Sequence, residues 1–90
     1  SGKEASFALY VRAYLLLFKL GQADKAAKAA LQYARRFPNG NEAEDMLWLR
    51  VRALCKSGDV AMCRAAAHTY LRKYPNGVFR RLASKLIRAK

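Results

Sequence analysis

The sequence is short of acidic residues, of histidine and of long apolar runs, and each shortage excludes a class of function. Only 6 Asp and Glu stand against 18 Lys and Arg, which leaves a formal net charge of +12. The single histidine, His68, has no acidic residue near it in the sequence, so an acid–base pair built on it is not expected. The longest apolar run, Tyr14 to Phe18, is far shorter than the roughly 20 residues that a membrane span needs.

Neither an enzyme active site nor a cofactor site is predicted. The acidic residues that do cluster, Glu42, Glu44 and Asp45, fall where a helix is expected to begin, and the helix dipole explains them there. Gly40 and Gly77 stand alone and do not form a glycine-rich phosphate loop. The two cysteines and the lone histidine do not make up a metal-ligand set. We therefore expect no catalysis, no cofactor and no metal.

Ninety residues are enough for one small domain, 1–90, with a modest core. The Ser1-Gly2 start resembles the scar of a protease cleavage, so we expect a fragment of a longer protein. The cationic side chains are unevenly spread, because no Asp or Glu follows Val60. Such a surface attracts polyanions in general, including nucleic acid, anionic lipid and acidic protein, without choosing among them.

A phrase of six residues occurs twice, as Arg35 to Gly40 and, 37 positions later, as Arg72 to Gly77. In each copy two cations and an aromatic residue close a helix, a proline cannot continue it, and an Asn-Gly pair turns the chain. The same offset relates Tyr33 to Tyr70. A period in the thirties predicts a stack of helical hairpins.

The spacing of apolar residues predicts five helices. The predicted segments are 4–20, 23–37, 41–56, 60–74 and 78–89. Residues 4–40 form the first repeat, 41–77 form the second, and 78–89 form a capping helix that is apolar on one face only.

The first predicted helix is apolar on nearly all sides, and only Arg12 and Lys19 carry charge within it. Such a helix must be covered on more than one side. One side is expected to pack on the next helix. The other side is covered either by a preceding repeat or domain, which we favour, or by a ligand that lies in a groove.

Capping residues mark two of the helix starts. Asn41, with Glu44 three residues later, has the arrangement of a capping box for the third helix. Asp59 is placed to cap the fourth helix. Along the third helix, the apolar spacing assigns Trp48 to a face other than the buried one.

Cys55 and Cys63 flank a predicted turn at Ser57-Gly58-Asp59, at nearly mirrored positions on two antiparallel helices. A disulfide needs Cα atoms within about 7 Å, which this placement allows. Alternatively, both are small buried apolar residues at a tight helix crossing, as free cysteines usually are. The sequence leaves both alternatives open.

Taken together, these features resemble tetratricopeptide repeats. The residues that carry the likeness, which covers nearly the whole chain, are turn glycines, small helix residues and closing prolines: Gly21, Gly58, Ala26, Cys63, Pro38 and Pro75. The long interval from Pro38 to Gly58 is similar to the variant repeats of bacterial envelope proteins, such as the outer-membrane-assembly lipoprotein and the Tol-Pal coordination protein, and of some anti-sigma regulators. The chain departs from the common pattern at Tyr14 and Val51, where a small residue is usual, and at Ala30 and Ala67, where an aromatic one is usual.

The resemblance implies an all-α fold, a right-handed array of antiparallel helical hairpins, that serves protein–protein interaction or scaffolding. A peptide or a partner domain would bind along its concave face. The resemblance also implies a bacterial periplasm or envelope location, with the cytoplasm as the alternative.

Two binding surfaces are predicted, and they take different partners. The first, on the first and third helices, offers aromatic and cationic contacts to a protein or peptide of acidic character. Its predicted residues are Arg12, Lys19, Trp48, Arg50, Arg52 and Lys56. The alternative is that Trp48 is partly buried core and the arginines form a solvated face.

The second predicted surface binds nucleic acid or another polyanion through charge alone. Its residues lie near the C-terminal end of the chain: Arg72, Lys73, Arg80, Arg81, Lys85 and Arg88. No base-reading motif accompanies them, and the aromatic residues fall mostly at core spacing, where they are poorly available for stacking on bases. We therefore rank this function second.

Overall fold

Residues 2–88, which the computed structural model describes, form five α-helices joined by short turns. The helices are α1 Gly2–Phe18, α2 Ala23–Arg36, α3 Ala43–Lys56, α4 Val60–Lys73 and α5 Arg80–Arg88. No strand occurs between residues 2 and 88, so the prediction of an all-α fold is confirmed. The first helix ends at Phe18 and the last begins at Arg80, each two residues short of the prediction; the predicted end at 89 lies outside the described residues.

Each helix packs against the next one along the chain, and α1 also contacts α3. These contacts are those of successive antiparallel hairpins. Two cores result, one shared by α1, α2 and α3 and the other by α3, α4 and α5. Because α3 contributes to both cores, it joins the two hairpins into one body.

The second helix of each hairpin is rich in alanine, and this allows its neighbours to approach closely. Ala26 and Ala30 of α2 and Ala67 of α4 are completely buried. Alanine also favours the helix itself, because it loses no side-chain entropy there. The bulky side chain that each of these helices adds to its core is one buried tyrosine near the end of the helix, Tyr33 in α2 and Tyr70 in α4.

The turn inside each hairpin depends on a glycine in the left-handed region, Gly21 with φ 63° and Gly58 with φ 90°. A side chain at either position would be strained, because residues with a Cβ rarely adopt this conformation. After the second turn, the Asp59 carboxylate accepts a hydrogen bond of 3.1 Å from the Met62 backbone N–H, so the predicted cap of α4 is confirmed.

The turns that follow α2 and α4 are held by buried tyrosine hydroxyls. The Tyr33 hydroxyl donates to the Glu42 carboxylate at 2.7 Å and accepts from the Glu42 backbone N–H at 3.1 Å. Gly40 lies so close to this hydroxyl that a Cβ at Gly40 would collide with it. The glycine of the Pro-Asn-Gly phrase is therefore required for close packing, since its φ is not positive.

Tyr70 makes the equivalent contacts after α4, but the carboxylate that it contacts belongs to a residue of α3. Its hydroxyl accepts from the Phe79 backbone N–H at 3.0 Å and donates to the Glu44 carboxylate at 2.6 Å. Glu44 also accepts from the Val78 backbone N–H at 2.8 Å. Burial, together with the hydrogen bond to Glu44, raises the pKa of Tyr70 to about 12. We call Tyr70, Glu44 and the N–H groups of Val78 and Phe79 the tyrosine clasp.

The predicted capping box at the start of α3 is wrong. The residue that precedes α3 is Glu42, which makes no side-chain cap, and Asn41 lies one position further out. Glu44 does not reach back to Asn41, because its carboxylate is engaged by Tyr70 and Val78. A contact between residues distant in sequence has replaced the local one.

The α3–α4 hairpin is closed by a disulfide between Cys55 and Cys63, whose Cα atoms lie 4.9 Å apart. Cys63 is buried in the second core, and Cys55 packs against the same core. The bond spans 8 positions of sequence and crosses the turn at Gly58. Its main effect is to limit the conformations that the unfolded chain can reach.

We expect the tyrosine clasp to be a coupled unit. Tyr70→Phe and Glu44→Ala should each lower the free energy of unfolding by about 1–3 kcal/mol, because each leaves a polar group of the clasp without its partner. In urea denaturation the double variant should lose less than the sum of the two. Tyr33→Phe is the matched control, since Tyr33 does not contact Glu44; its effect should add to that of Glu44→Ala within about 0.5 kcal/mol. Additive losses for the Tyr70 pair would contradict the clasp.

Reduction of the disulfide is expected to destabilise the domain. For a closed loop of this size the chain-entropy estimate is about 2.5 kcal/mol, measurable as a lower urea midpoint in the presence of reductant. Alkylation of the unreduced, denatured protein should add no mass, and a mass increase would show free thiols instead. The double variant Cys55→Ser, Cys63→Ser is the control, because its urea midpoint should not respond to reductant.

Candidate functional site

A groove of about 220 Å³ runs between α1 and α3 on one side of the domain. Its lining is mostly aromatic, with one carboxylate and one guanidinium. The lining residues are Tyr10, Tyr14, Phe18, Asp45, Met46, Trp48, Leu49, Arg52 and Phe79. We call it the α1–α3 groove.

The α1 wall of the groove is a row of three aromatic rings at helical spacing. Tyr10 and Tyr14 have ring centroids 6.1 Å apart, and Tyr14 and Phe18 are 4.5 Å apart. Tyr14 is 47% exposed and Phe18 is 40% exposed. Large aromatic surfaces that remain half exposed beside a groove are typical anchors for a bound partner.

Two opposite charges stand on the α3 wall. The Arg52 guanidinium lies 4.8 Å from the centroid of the Phe18 ring, in a cation–π contact. Asp45 lies two turns earlier on α3, beside Tyr10. Partial burial, assisted by the Glu44 and Glu42 carboxylates, raises the pKa of Asp45. Burial and the nearby Asp45 carboxylate also raise the pKa of Tyr10.

Trp48 belongs mainly to the core, and its predicted place on another face of α3 is wrong. It is only 7% exposed. Its ring stacks on Phe79 with centroids 5.1 Å apart and an interplanar angle of 5°, and it meets Tyr70 edge-on at 5.7 Å. The tyrosine clasp fixes the backbone N–H of Phe79, so the clasp also positions this stack and the end of the groove that Phe79 lines.

The six residues predicted for the first surface do not share one surface. Trp48 and Arg52 line the groove, and the other four lie elsewhere. Half-buried Arg50 lies near Arg35 of α2, and burial, with the like charge of Arg35, lowers the pKa of Arg50. Lys56 lies beside the turn between α1 and α2. Lys19 is exposed just after α1.

Arg12 lies on a separate apolar face of α1, which no other described helix covers. Its neighbours there include Phe7, Val11, Leu15 and Leu20. This is the second side of the first helix, for which the sequence predicts either a further repeat or a ligand. Its shape is a shallow depression along α1 alone, whereas the α1–α3 groove has two walls.

Sequence reasoning missed seven of the nine residues that line the groove, among them Tyr10, Tyr14 and Phe18 of α1 and Asp45 of α3. The three aromatic residues fall at helical spacing on a helix that is apolar all round, and this pattern is typical of core residues. Their regular spacing of four was the available signal. For Asp45, the helix start was a sufficient explanation in the sequence.

Four of the six predicted polyanion-binding residues line one cleft between the end of α4 and α5. Arg80, Arg81, Lys85 and Arg88 surround a volume of about 370 Å³. We call it the α5 basic cleft. The other two residues point to contacts within the protein. The Arg72 guanidinium donates to the Thr69 hydroxyl at 3.3 Å, and the Lys73 ammonium donates to the Pro38 carbonyl at 2.6 Å.

Among the described residues, no three His, Cys, Asp or Glu side chains are grouped so that they could hold a metal ion. Within residues 2–88, no helix is both long enough and apolar enough to cross a membrane.

Comparison of the chain with protein-family models, with curated proteins and with solved structures finds no match.

Proposed function

We propose that this domain is a protein–protein interaction module that binds a peptide or a partner domain in the α1–α3 groove. The observation that carries the proposal is the row of half-exposed aromatic rings on α1, which faces charged side chains of α3 across a two-walled groove. Binding energy at protein interfaces is concentrated in aromatic residues and arginine that become desolvated in such pockets. The groove supplies both kinds of residue.

The sequence resemblance to tetratricopeptide repeats supports the same proposal. An array of helical hairpins is expected to present its first helices on one side, and α1 and α3 are the first helices of the two hairpins. The Cys55–Cys63 disulfide supports placing the domain in an oxidising compartment, such as a bacterial periplasm, because cytoplasmic thiols are kept reduced.

A second candidate function is the binding of a polyanion in the α5 basic cleft. Four cations line this one cleft, and no acidic residue follows Asp59 in the sequence to neutralise them. Contacts of this kind are electrostatic and depend strongly on salt. Nucleic acid, anionic lipid and an acidic protein surface all fit this description.

The groove can be tested without a known partner. Peptides selected from a random display library on the wild-type domain should lose about tenfold or more in affinity for the variant Tyr14→Ser, Phe18→Ser, because two aromatic anchors are removed. Leu15→Ser is the matched control, since Leu15 is exposed to a similar degree on the uncovered face of α1. Circular dichroism checks that each variant remains helical.

The outcome of that selection decides between the two faces of α1. Selected peptides that bind the double variant as well as the wild type would exclude the groove. Peptides whose affinity falls on Leu15→Ser, and not on the double variant, would place the binding site on the uncovered face instead.

For the basic cleft, charge reversal is the direct test. The variant Arg81→Glu, Lys85→Glu should weaken binding to duplex DNA, and the salt slope should become smaller by about 0.9 for each phosphate that the cleft no longer neutralises. Lys25→Glu, Lys28→Glu on α2 is the control, because it makes the same change in net charge at exposed positions outside the cleft. Equal weakening in the two variants would mean that net charge, and not the cleft, attracts the DNA. Affinity of the wild type no better than about 10⁻⁴ M at physiological salt would exclude this function.

A further inference from the structure

The two charges of the α1–α3 groove lie on one face of α3 and at a definite separation. Asp45 and Arg52 are two turns apart, so their side chains leave α3 in nearly the same direction. Seven residues of helix correspond to about 10.5 Å along the axis. The opposite wall repeats this order, because Tyr10 lies beside Asp45 and Phe18 lies beside Arg52.

The space between the two charges is apolar. Tyr14 on α1 and Leu49 on α3 line the middle of the groove, and Met46 and Trp48 add to its lining. An apolar side chain that enters here is removed from water on both sides. The groove therefore presents a carboxylate, an apolar centre and a guanidinium in that order along α3.

Asp45 is the acidic residue of its cluster that is left for an external partner. Glu42 is engaged by Tyr33, and Glu44 is engaged by Tyr70 and Val78. Asp45 itself is exposed, and it makes neither a hydrogen bond nor an ion pair with any residue from Gly2 to Arg88.

The separation of the charges sets the length of ligand that satisfies both. An extended peptide advances about 3.3 Å per residue and points successive side chains to opposite faces, so the same-face spacing that best covers the distance from Asp45 to Arg52 is about four positions. Charge complementarity then requires a cation at one end of that stretch and a carboxylate at the other. Between them, the peptide must offer an apolar side chain to the rings of α1.

We infer that the α1–α3 groove selects extended peptide segments in which a basic and an acidic residue lie about four positions apart on either side of an apolar residue, the basic one at Asp45 and the acidic one at Arg52. The inference rests on the proposed function of the groove and adds the chemistry of its partner. It also separates the groove from the α5 basic cleft, which attracts negative charge alone.

Four synthetic peptides, blocked at both ends, test the inference. Two carry one lysine and one glutamate in opposite orders around an alanine-phenylalanine-alanine centre, one carries two lysines, and one carries two glutamates. Each is titrated into isotope-labelled domain at about 150 mM salt, where distant charges are largely screened. One of the two mixed peptides should bind about tenfold more tightly than either like-charged peptide, with amide shifts at 10–18 and 45–52.

A charge-swapped domain provides the decisive comparison. Asp45→Lys combined with Arg52→Glu keeps the net charge and should reverse the preference between the two mixed peptides. Asp24→Lys combined with Lys28→Glu makes the same exchange at exposed positions of α2 and should leave the preference unchanged. The wild-type titrations stand by themselves if the swapped domain does not fold.

The possible outcomes distinguish this inference from the proposed function. If all four peptides shift the groove residues with equal affinity, the groove binds peptides and the charge order is wrong. If the peptide with two glutamates binds most tightly, net charge governs binding and the inference is overturned. If no peptide shifts the groove residues, the inference and the proposed function both fail.

Discussion

A buried tyrosine hydroxyl must find hydrogen-bond partners, and this requirement governs how each hairpin passes into the next helix. Tyr33 and Tyr70 are both completely buried at the ends of α2 and α4. A buried hydroxyl without a partner would destabilise the fold. The chain that follows each helix therefore folds back over the tyrosine and places a backbone N–H within hydrogen-bond distance of the hydroxyl. The donors are Glu42 N–H for Tyr33 and Phe79 N–H for Tyr70. The direction in which α3 and α5 depart follows from these two bonds.

The two copies differ in the source of the carboxylate, and this difference links the hairpins. Tyr33 uses Glu42, from the turn that it holds, so the first copy is local. At the equivalent place in the second copy stands Phe79, which stacks on Trp48. The carboxylate is supplied by Glu44 of α3, which thereby fixes the turn after α4. The first copy has Glu42 where the second has Phe79. With this difference, the local contact between Tyr33 and Glu42 is replaced by the contact between Tyr70 and Glu44, which spans the second unit.

The sequence predicted what depends on local residues and missed what depends on neighbours in space. The doubled Pro-Asn-Gly phrase, the turn glycine Gly58 and the cap at Asp59 predicted five helices and their order, because helix ends are set by a few adjacent residues. Glu44 and Trp48 were misassigned, since their partners are Tyr70 and Phe79, each more than twenty positions away. A pattern of apolar spacing shows that a helix face is buried, but it does not show which other element covers that face.

The groove was not found from the sequence because it, too, depends on residues that are neighbours only in space. The rings of α1 have the spacing of core residues, and Tyr10, Tyr14 and Phe18 would be core if a further helix lay over them. Whether an apolar stripe is covered depends on the angle between α1 and α3, and that angle is a property of the packed hairpins. The α5 basic cleft was easier to predict, because four of its cations are close together in sequence.

The disulfide gives the two walls of the groove unequal resistance to opening. α3 belongs to the hairpin that Cys55 and Cys63 close covalently, whereas the side chains that hold α1 to α2 and α3 make noncovalent contacts. Local fluctuations start where fewest constraints must be broken, so the α1 wall opens more readily than the α3 wall. The α3 wall of the groove is then the more rigid one, and the α1 wall, which carries the aromatic rings, is the more easily displaced one. If the groove binds ligands as proposed, ligands of different bulk would be accommodated by movement of α1, while the charges on α3 keep their positions.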